Sequence, residues 1–410
     1  MRLFGQAFSR WNLTGRTRLV YFLLVIMLAL LTIFGLFSIR YKSQGRRRFV
    51  FSRIYLAYTM VITIAFTITY THQMYEDYRS SQLDLRDAVK LYSYMNITVT
   101  IINFVTQMFK VKQVARLMSQ VPLFDTLREF SVGDTLLRSV VTSIVKVIGF
   151  PFIIGITMFL QQQRYEPELS GMWSVHKLFP MIVSNLLNNS FYGVMIIVKA
   201  ILKTLNIRLM RHVRLVECMQ KEEKLKLHTI YYSMQKYCTW ADEIDALSIK
   251  YRIICIHATN YTALVSLSMV LSLLCHLLGI TVGFFNQYSA LADTFIDGQS
   301  YDAFSALTNC VFLIISILEI TLLAQLANDI LVETQQTGII LQNLSLQRVD
   351  WRFRQAVDTF SLQVISIKHK IVLLGLFELN ATLITDVMAT VASFLLILIQ
   401  TDLSHRFKMK

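Results

Sequence analysis

Eight apolar stretches punctuate the chain, at 19–39, 51–71, 91–109, 139–160, 178–198, 253–285, 303–325 and 380–400. Residues rise 1.5 Å each in a helix, so about twenty of them span the ~30 Å hydrocarbon core of a bilayer. Length and lack of charge predict a helix for every stretch. The polar segments between them are also patterned. In 199–252 the apolar positions Ile201, Leu205, Leu209, Val213 and Val216 recur at helical spacing among lysines and arginines. In 326–372 the same holds for Leu326, Ile330 and Leu331, and later for Val357, Phe360, Leu362 and Val364. This pattern predicts that the stretches at 178–198 and 303–325 continue as helices beyond the membrane.

Charge decides how many stretches cross. Arg10, Arg16 and Arg18 precede 19–39, and Arg40, Lys42, Arg46, Arg47 and Arg48 follow it. Basic flanks prefer the cytoplasm, so 19–39 is expected to dip into the inner leaflet or lie along it rather than cross. The other seven stretches then alternate. Segment 199–252 is strongly basic and goes inside, whereas 286–302 carries Asp293, Asp297 and Asp302 with no basic residue and goes outside. The expected fold is an all-α membrane protein of seven transmembrane helices, N-terminus cytoplasmic and C-terminus extracellular. The tail disagrees with this arrangement: it would lie outside, yet it carries Arg406, Lys408 and Lys410.

Composition agrees with a membrane class. The chain is 54% hydrophobic and only 16% charged, against about a quarter charged in soluble domains. Its net charge of +14 sits beside apolar spans, where it reads as anchoring to anionic lipid rather than as a nucleic-acid surface. The N-terminal stretch does not read as a signal peptide. No phosphate loop, Cys-x-x-Cys pair or His-Glu-x-x-His occurs, so neither an enzyme nor a cofactor or metal is expected. Cys255 with His257 and Cys275 with His276 come nearest to a ligand set, but neither pair shares one helix face. The sequons at Asn12, Asn96, Asn188, Asn260, Asn343 and Asn380 fall in spans or inside and are not expected to carry glycan. Gly279 and Gly283 form a small-xxx-small pair suited to helix packing.

The intramembrane charges are Arg53 at a membrane edge, Lys146 and Glu319. Snorkelling is expected for Lys146. A lipid-facing Glu319 costs about 2.5–3.5 kcal/mol, so pairing with Lys146 or a place near the interface is expected.

The last stretch, Asn380–Gln400, has Asp386 as its only charge and ends Ser393-Phe394, five aliphatics, Gln400-Thr401. This resembles the C-terminal signature of insect gustatory receptors, which is Thr-Tyr, five hydrophobics, Gln-Phe. Gly375-Leu376-Phe377 upstream resembles that family's Gly-Leu-Phe stretch. The resemblance implies a tastant-gated non-selective cation channel in the plasma membrane of sensory neurons. It implies a homo- or hetero-tetramer with related subunits, with 380–401 lining the pore and 326–379 forming a cytoplasmic anchor. Residues 51–325 would form the ligand-binding bundle, 1–50 a cytoplasmic N-terminus and 402–410 an extracellular tail. Gln400 and Thr401 then mark the gate, with Ile397, Ser393 and Asp386 on the pore and Glu378 near its inner mouth. Thr401 replaces a large aromatic, which implies a smaller, wetter ring.

Sugar receptors of the family usually carry Glu after the Thr-Tyr pair. Leu395 stands there, which favours bitter or pheromone-like ligands. A small-molecule site needs aromatics and amides in the outer half of the bundle. The candidates are Tyr70, Tyr92, Tyr94, Phe159, Gln163, Trp173, Asn185, Asn188, Asn189, Phe284, Phe285, Phe304 and Asn309. For any single member an aromatic belt at the membrane interface is the better explanation. Asn185, Asn188 and Asn189 are the stronger candidates, because amides need partners. A G-protein-coupled receptor would want Asp/Glu-Arg-Tyr and Asn-Pro-x-x-Tyr motifs, and a transporter paired broken helices. The sequence shows neither.

Overall fold

In a computed structural model, residues 15–42, 48–79, 88–120, 142, 144–165, 171–225, 229–296, 298, 300–367 and 370–409 are described. Helix α1 is Gly15–Ile33; strands β1 (Ile39–Lys42) and β2 (Arg48–Phe51) follow. Then come α2 (Arg53–Arg79) and α3 (Ala88–Gln120). A π-helical turn, Val145–Gly149, leads into α4 (Phe150–Tyr165). The long helices α5 (Gly171–Lys224), α6 (Ile230–Phe295) and α7 (Ala303–Gln342) form the centre. Helix α8 (Trp351–Ser366), strands β3 (Val372–Leu373) and β4 (Phe377–Glu378), and α9 (Thr382–Met409) complete the chain.

Five helices among the described residues are long and apolar enough to cross a membrane. Leu24–Ile33 and Val145–Thr157 are shorter apolar helical stretches, and α3 is a 33-residue helix. The helices start where side-chain oxygens accept the first free N–H groups. Asp302 Oδ1 takes the Phe304 and Ser305 amides, Asp350 that of Arg352, and Asn380 that of Thr382.

The stretch 19–39 is not one helix. Helix α1 stops at Ile33 in a Schellman motif, with Leu36 N donating to Leu31 O and Gly35 N to Thr32 O. Gly35 takes φ +74°, open to a residue without Cβ. The turn packs against Ile62, within the first half of α2. The chain then runs back along α2, where Ser38 Oγ meets Thr59 Oγ1 at 2.7 Å, into the β1–β2 hairpin.

The extensions appear in part. Helix α5 continues to Lys224 and α7 to Gln342 as the pattern predicts, but residues from Ile230 onward begin α6, and Val357, Phe360, Leu362 and Val364 lie on the separate helix α8. Ile201, Leu205, Leu209, Val213 and Val216 are all buried, packed with Tyr237, Trp240, Ile244 and Tyr251 of α6 and Phe353, Val357 and Phe360 of α8. Asn206 ties α5 to α7 through Glu333 and Thr337. Leu362 departs from the expectation: it is exposed, because the inward face of α8 is Phe353, Ala356, Val357 and Phe360. Gly375 (φ +72°) and Leu374 make the β3–β4 turn, so the Gly-Leu-Phe stretch is the hairpin that feeds α9.

Lys146 does not snorkel. It is fully buried in the π-helical turn, 5.1 Å above the Tyr192 ring, with Nζ 3.4 Å from the Glu319 carbonyl. Glu319 is buried too, its Oε2 2.8 Å from His276 Nε2. The approach does not meet hydrogen-bond geometry, so the two groups are in close polar contact without a bond between them. Lys146, His276 and Glu319, from three separate elements, thus gather in the interior, away from the lipid that would have penalised a lone charge.

The candidate ligand cavity and pore face

A cavity of about 320 Å³ opens between α6 and α7. Tyr92 of α3 and Thr157 of α4 close its sides. Its length follows α6 from Gly279 to Asp293, about 20 Å at helical rise. Two glycines make this wall thin. A Cβ on Gly279 would fall 2.9 Å from Tyr92, and one on Gly283 2.6 Å from Leu313, so the sequence pair Gly279/Gly283 is a packing seam. Amides pin the two helices across it: Asn309 Nδ2 donates to Gly283 O at 2.8 Å, and Gln287 Nε2 to Ala306 O at 2.7 Å. Tyr92 and Phe312 meet edge-on at 5.7 Å and form the apolar end.

Of the ligand-site candidates, Asn309 and Tyr92 line this cavity. Phe284 and Phe285 are half-buried beside it on α6, Phe285 lying against Tyr288 at 5.9 Å. Phe304 stands in the first turn of α7. Tyr70 lies elsewhere: it stacks on the His176 ring at 4.5 Å and donates to the His176 carbonyl, joining α2 to α5. Tyr94 and Phe159 are half-buried on α3 and α4. Asn185, Asn188 and Asn189 are buried inside the bundle, and the Oδ1 atoms of Asn188 and Asn189 have no hydrogen-bond partner among the described residues. The side chains of Gln163 and Trp173 lie outside the described residues. Sequence reasoning missed Asn286, Gln287, Ser289 and Asp293. They were legible only as the top of a span, and Asp293 only as a loop charge.

Helix α9 presents a second candidate surface. Asp386, Thr390, Ser393, Ile397, Gln400 and Thr401 fall within about 100° of arc around the helix. All but half-buried Thr390 are exposed. The opposite face, with Ile384, Val391, Asp402 and Arg406, packs on the subunit. The hydroxyls of Thr390, Ser393 and Thr401 donate to carbonyls four residues back, at 2.7, 3.0 and 2.8 Å. Glu378, at the start of this region, is paired with Lys370 at 2.8 Å.

The top of α9 holds a charged cluster. Arg406 Nη1 lies 2.7 Å from Asp293 Oδ1, and its Nε 2.6 Å from Asp402 Oδ2. Tyr288 donates to Asp402 Oδ2 at 3.1 Å. Of the three basic residues that argued against an outer tail, Arg406 is therefore neutralised by carboxylates.

Comparison with known proteins decides the family. A family model described as 7tm Chemosensory receptor matches residues 24–405. The chain is 49% identical over 394 residues to Putative gustatory receptor 94a of Drosophila melanogaster, covering 96% of this chain and 98% of the relative. It belongs to the insect gustatory receptor family. This receptor is also 36% identical over 397 residues to Putative gustatory receptor 97a of the same species, covering 96% and 93% of the two chains. Its fold matches the insect olfactory receptor OR5 from Machilis hrabei in complex with eugenol, with TM-score 0.58 at 13% identity over 93% of this receptor and 98% of that chain. The structure of OR5 without mention of a ligand matches equally, at TM-score 0.58. The family resemblance and the all-α membrane fold expected from the sequence both hold, and the family is one of receptors rather than enzymes.

Proposed function

We propose that this gustatory receptor is a tastant-gated, non-selective cation channel, assembled as a homo- or hetero-tetramer around its α9 helices. One observation carries the reading. Helix α9 is among the most apolar helices, yet only 11% of its most apolar stretch is buried within the subunit, and its polar stripe faces away from that subunit. A polar stripe facing lipid is costly, whereas several such stripes meeting around an axis make an aqueous path. Asp386 lies at the entry of that path and Gln400 with Thr401 at its narrow end. The cavity between α6 and α7 is the tastant site, and its occupancy shifts the closed-to-open balance by its affinity difference between the two states. Leu395, where sugar receptors of the family usually carry Glu, favours a bitter or pheromone-like ligand over a sugar.

The orientation follows from charge: N-terminus inside, C-terminus outside, in the plasma membrane of sensory neurons. Segment 1–50 contributes a re-entrant α1, consistent with its turn beside Ile62, and 199–252 with 326–379 form the cytoplasmic anchor. Epitope tags on both termini, stained before and after permeabilisation, test the orientation, and whole-cell recording from the same cells tests conduction. An external C-terminal tag with cation current is expected. An internal C-terminal tag rules out the pore assignment at Gln400.

A further inference from the structure

Asp293 belongs to two structures at once. It lines the α6–α7 cavity, and it is the partner of Arg406 on α9. Ser289 is shared in the same way, lining the cavity while its Oγ lies 3.4 Å from Arg406 Nη2. The cluster holds two carboxylates, Asp293 and Asp402, against one guanidinium, so it carries a net charge of −1. The Arg406 side chain is 15% exposed and Asp293 37% exposed, which leaves the carboxylate open on its cavity side while the arginine is covered. The opposite end of the cavity is apolar, built from Tyr92, Val282 and Phe312.

We propose that the cavity takes a monovalent organic cation with an apolar body, and that its ammonium group displaces Arg406 from Asp293 and so frees the outer end of α9. This rests on the channel reading above and names its ligand class and its coupling. The physical argument is competition. Asp293 is paired with Arg406 in this structure, and an arriving ammonium takes the place of Arg406 while the apolar body fills the Tyr92–Phe312 end. Arg406 lies six residues beyond Gln400, about 9 Å along the helix. Tyr288, Ser289 and Asp293 of α6 all bind this part of α9 through Asp402 and Arg406, so loss of the Asp293 contact loosens the seat of the helix beside the narrow end of the pore. A ligand moves the balance only through a difference between states, and the loss of this ion pair supplies one.

The test uses phenethylammonium, with 2-phenylethanol as its uncharged counterpart, on the full chain. Binding is read from melting of detergent-purified protein, independently of current. The amine is expected to raise the melting temperature by about 2 °C, the alcohol to leave it unchanged, and Asp293→Asn to abolish the shift. Gating is read from basal current at equal surface expression. Arg406→Ala is expected to raise it about ten-fold, while Arg406→Lys, which keeps the charge, stays near the wild-type level. No shift with the amine, or an equal shift in Asp293→Asn, overturns the ligand site. Basal current unchanged or lowered in a surface-expressed Arg406→Ala overturns the clamp. A chain that conducts in no variant, alone or co-expressed with related receptor subunits, yet binds the amine through Asp293, refutes the channel reading and leaves the cation site standing.

Discussion

In the most apolar stretch of α5, 83% of residues are buried inside the subunit; in that of α9, 11% are, although α9 has the higher mean hydropathy, 2.2 against 1.5. The two helices invert each other. Helix α5 turns its amides Asn185, Asn188 and Asn189 inward and is covered by α3, α6 and α7. Helix α9 turns Asp386, Ser393 and Gln400 outward and leans on α6 and α7 along one face. Hydropathy therefore says that a helix leaves water, and not what surrounds it afterwards. A helix that is covered by its own chain serves stability. One that keeps a polar stripe away from its chain serves a surface that other copies complete.

That contrast sets the order of expected effects. The largest is at the buried charges near α5. Glu319→Ala leaves Lys146 buried beside Tyr192 without its counter-charge, and is expected to cost about 3–5 kcal/mol, seen as lost surface expression and a lowered melting temperature. Leu202→Ala, at a fully buried position of α5, is expected to cost about 2–5 kcal/mol by the same measurement. Gly283→Val puts a side chain where Leu313 already sits, costing about 1–3 kcal/mol and narrowing the cavity. On α9 the expectation reverses. Ile397→Ala, 56% exposed within the subunit, is expected to change the stability of the chain by no more than about 0.5 kcal/mol while altering current. A stability loss at Ile397 as large as at Leu202 would erase the distinction between the two helices.

Much of this was legible in the sequence because period and charge report on local geometry. The helical spacing from Ile201 to Val216 gave an extension whose five apolar positions are all buried. The pore candidates Asp386, Ser393, Ile397, Gln400 and Thr401 came from the family resemblance alone; that they share one exposed face of α9 emerges from the structure. Three further features were not legible. The length of α1 was hidden because Phe34, Leu36 and Phe37 keep the stretch apolar after Gly35 has ended the helix. Lys146 looked like a snorkelling edge residue because its partners, Glu319 and Tyr192, are remote in sequence. The role of Asp293 was hidden for the same reason: it depends on Arg406, more than a hundred residues away, and on a cavity that two glycines open. Local pattern shows which face a residue takes, whereas tertiary contact decides what it meets.

The central claim is that the outward stripe of α9 faces water in the assembled receptor. The most direct test places single cysteines along α9 and applies a charged, membrane-impermeant thiol reagent during current recording, against the unsubstituted chain as control. The account predicts block at Asp386→Cys, Thr390→Cys, Ser393→Cys, Ile397→Cys and Gln400→Cys, with none at Val391→Cys, which packs against the subunit. Modification without helical periodicity, or block at Val391→Cys equal to that at Ser393→Cys, would contradict it.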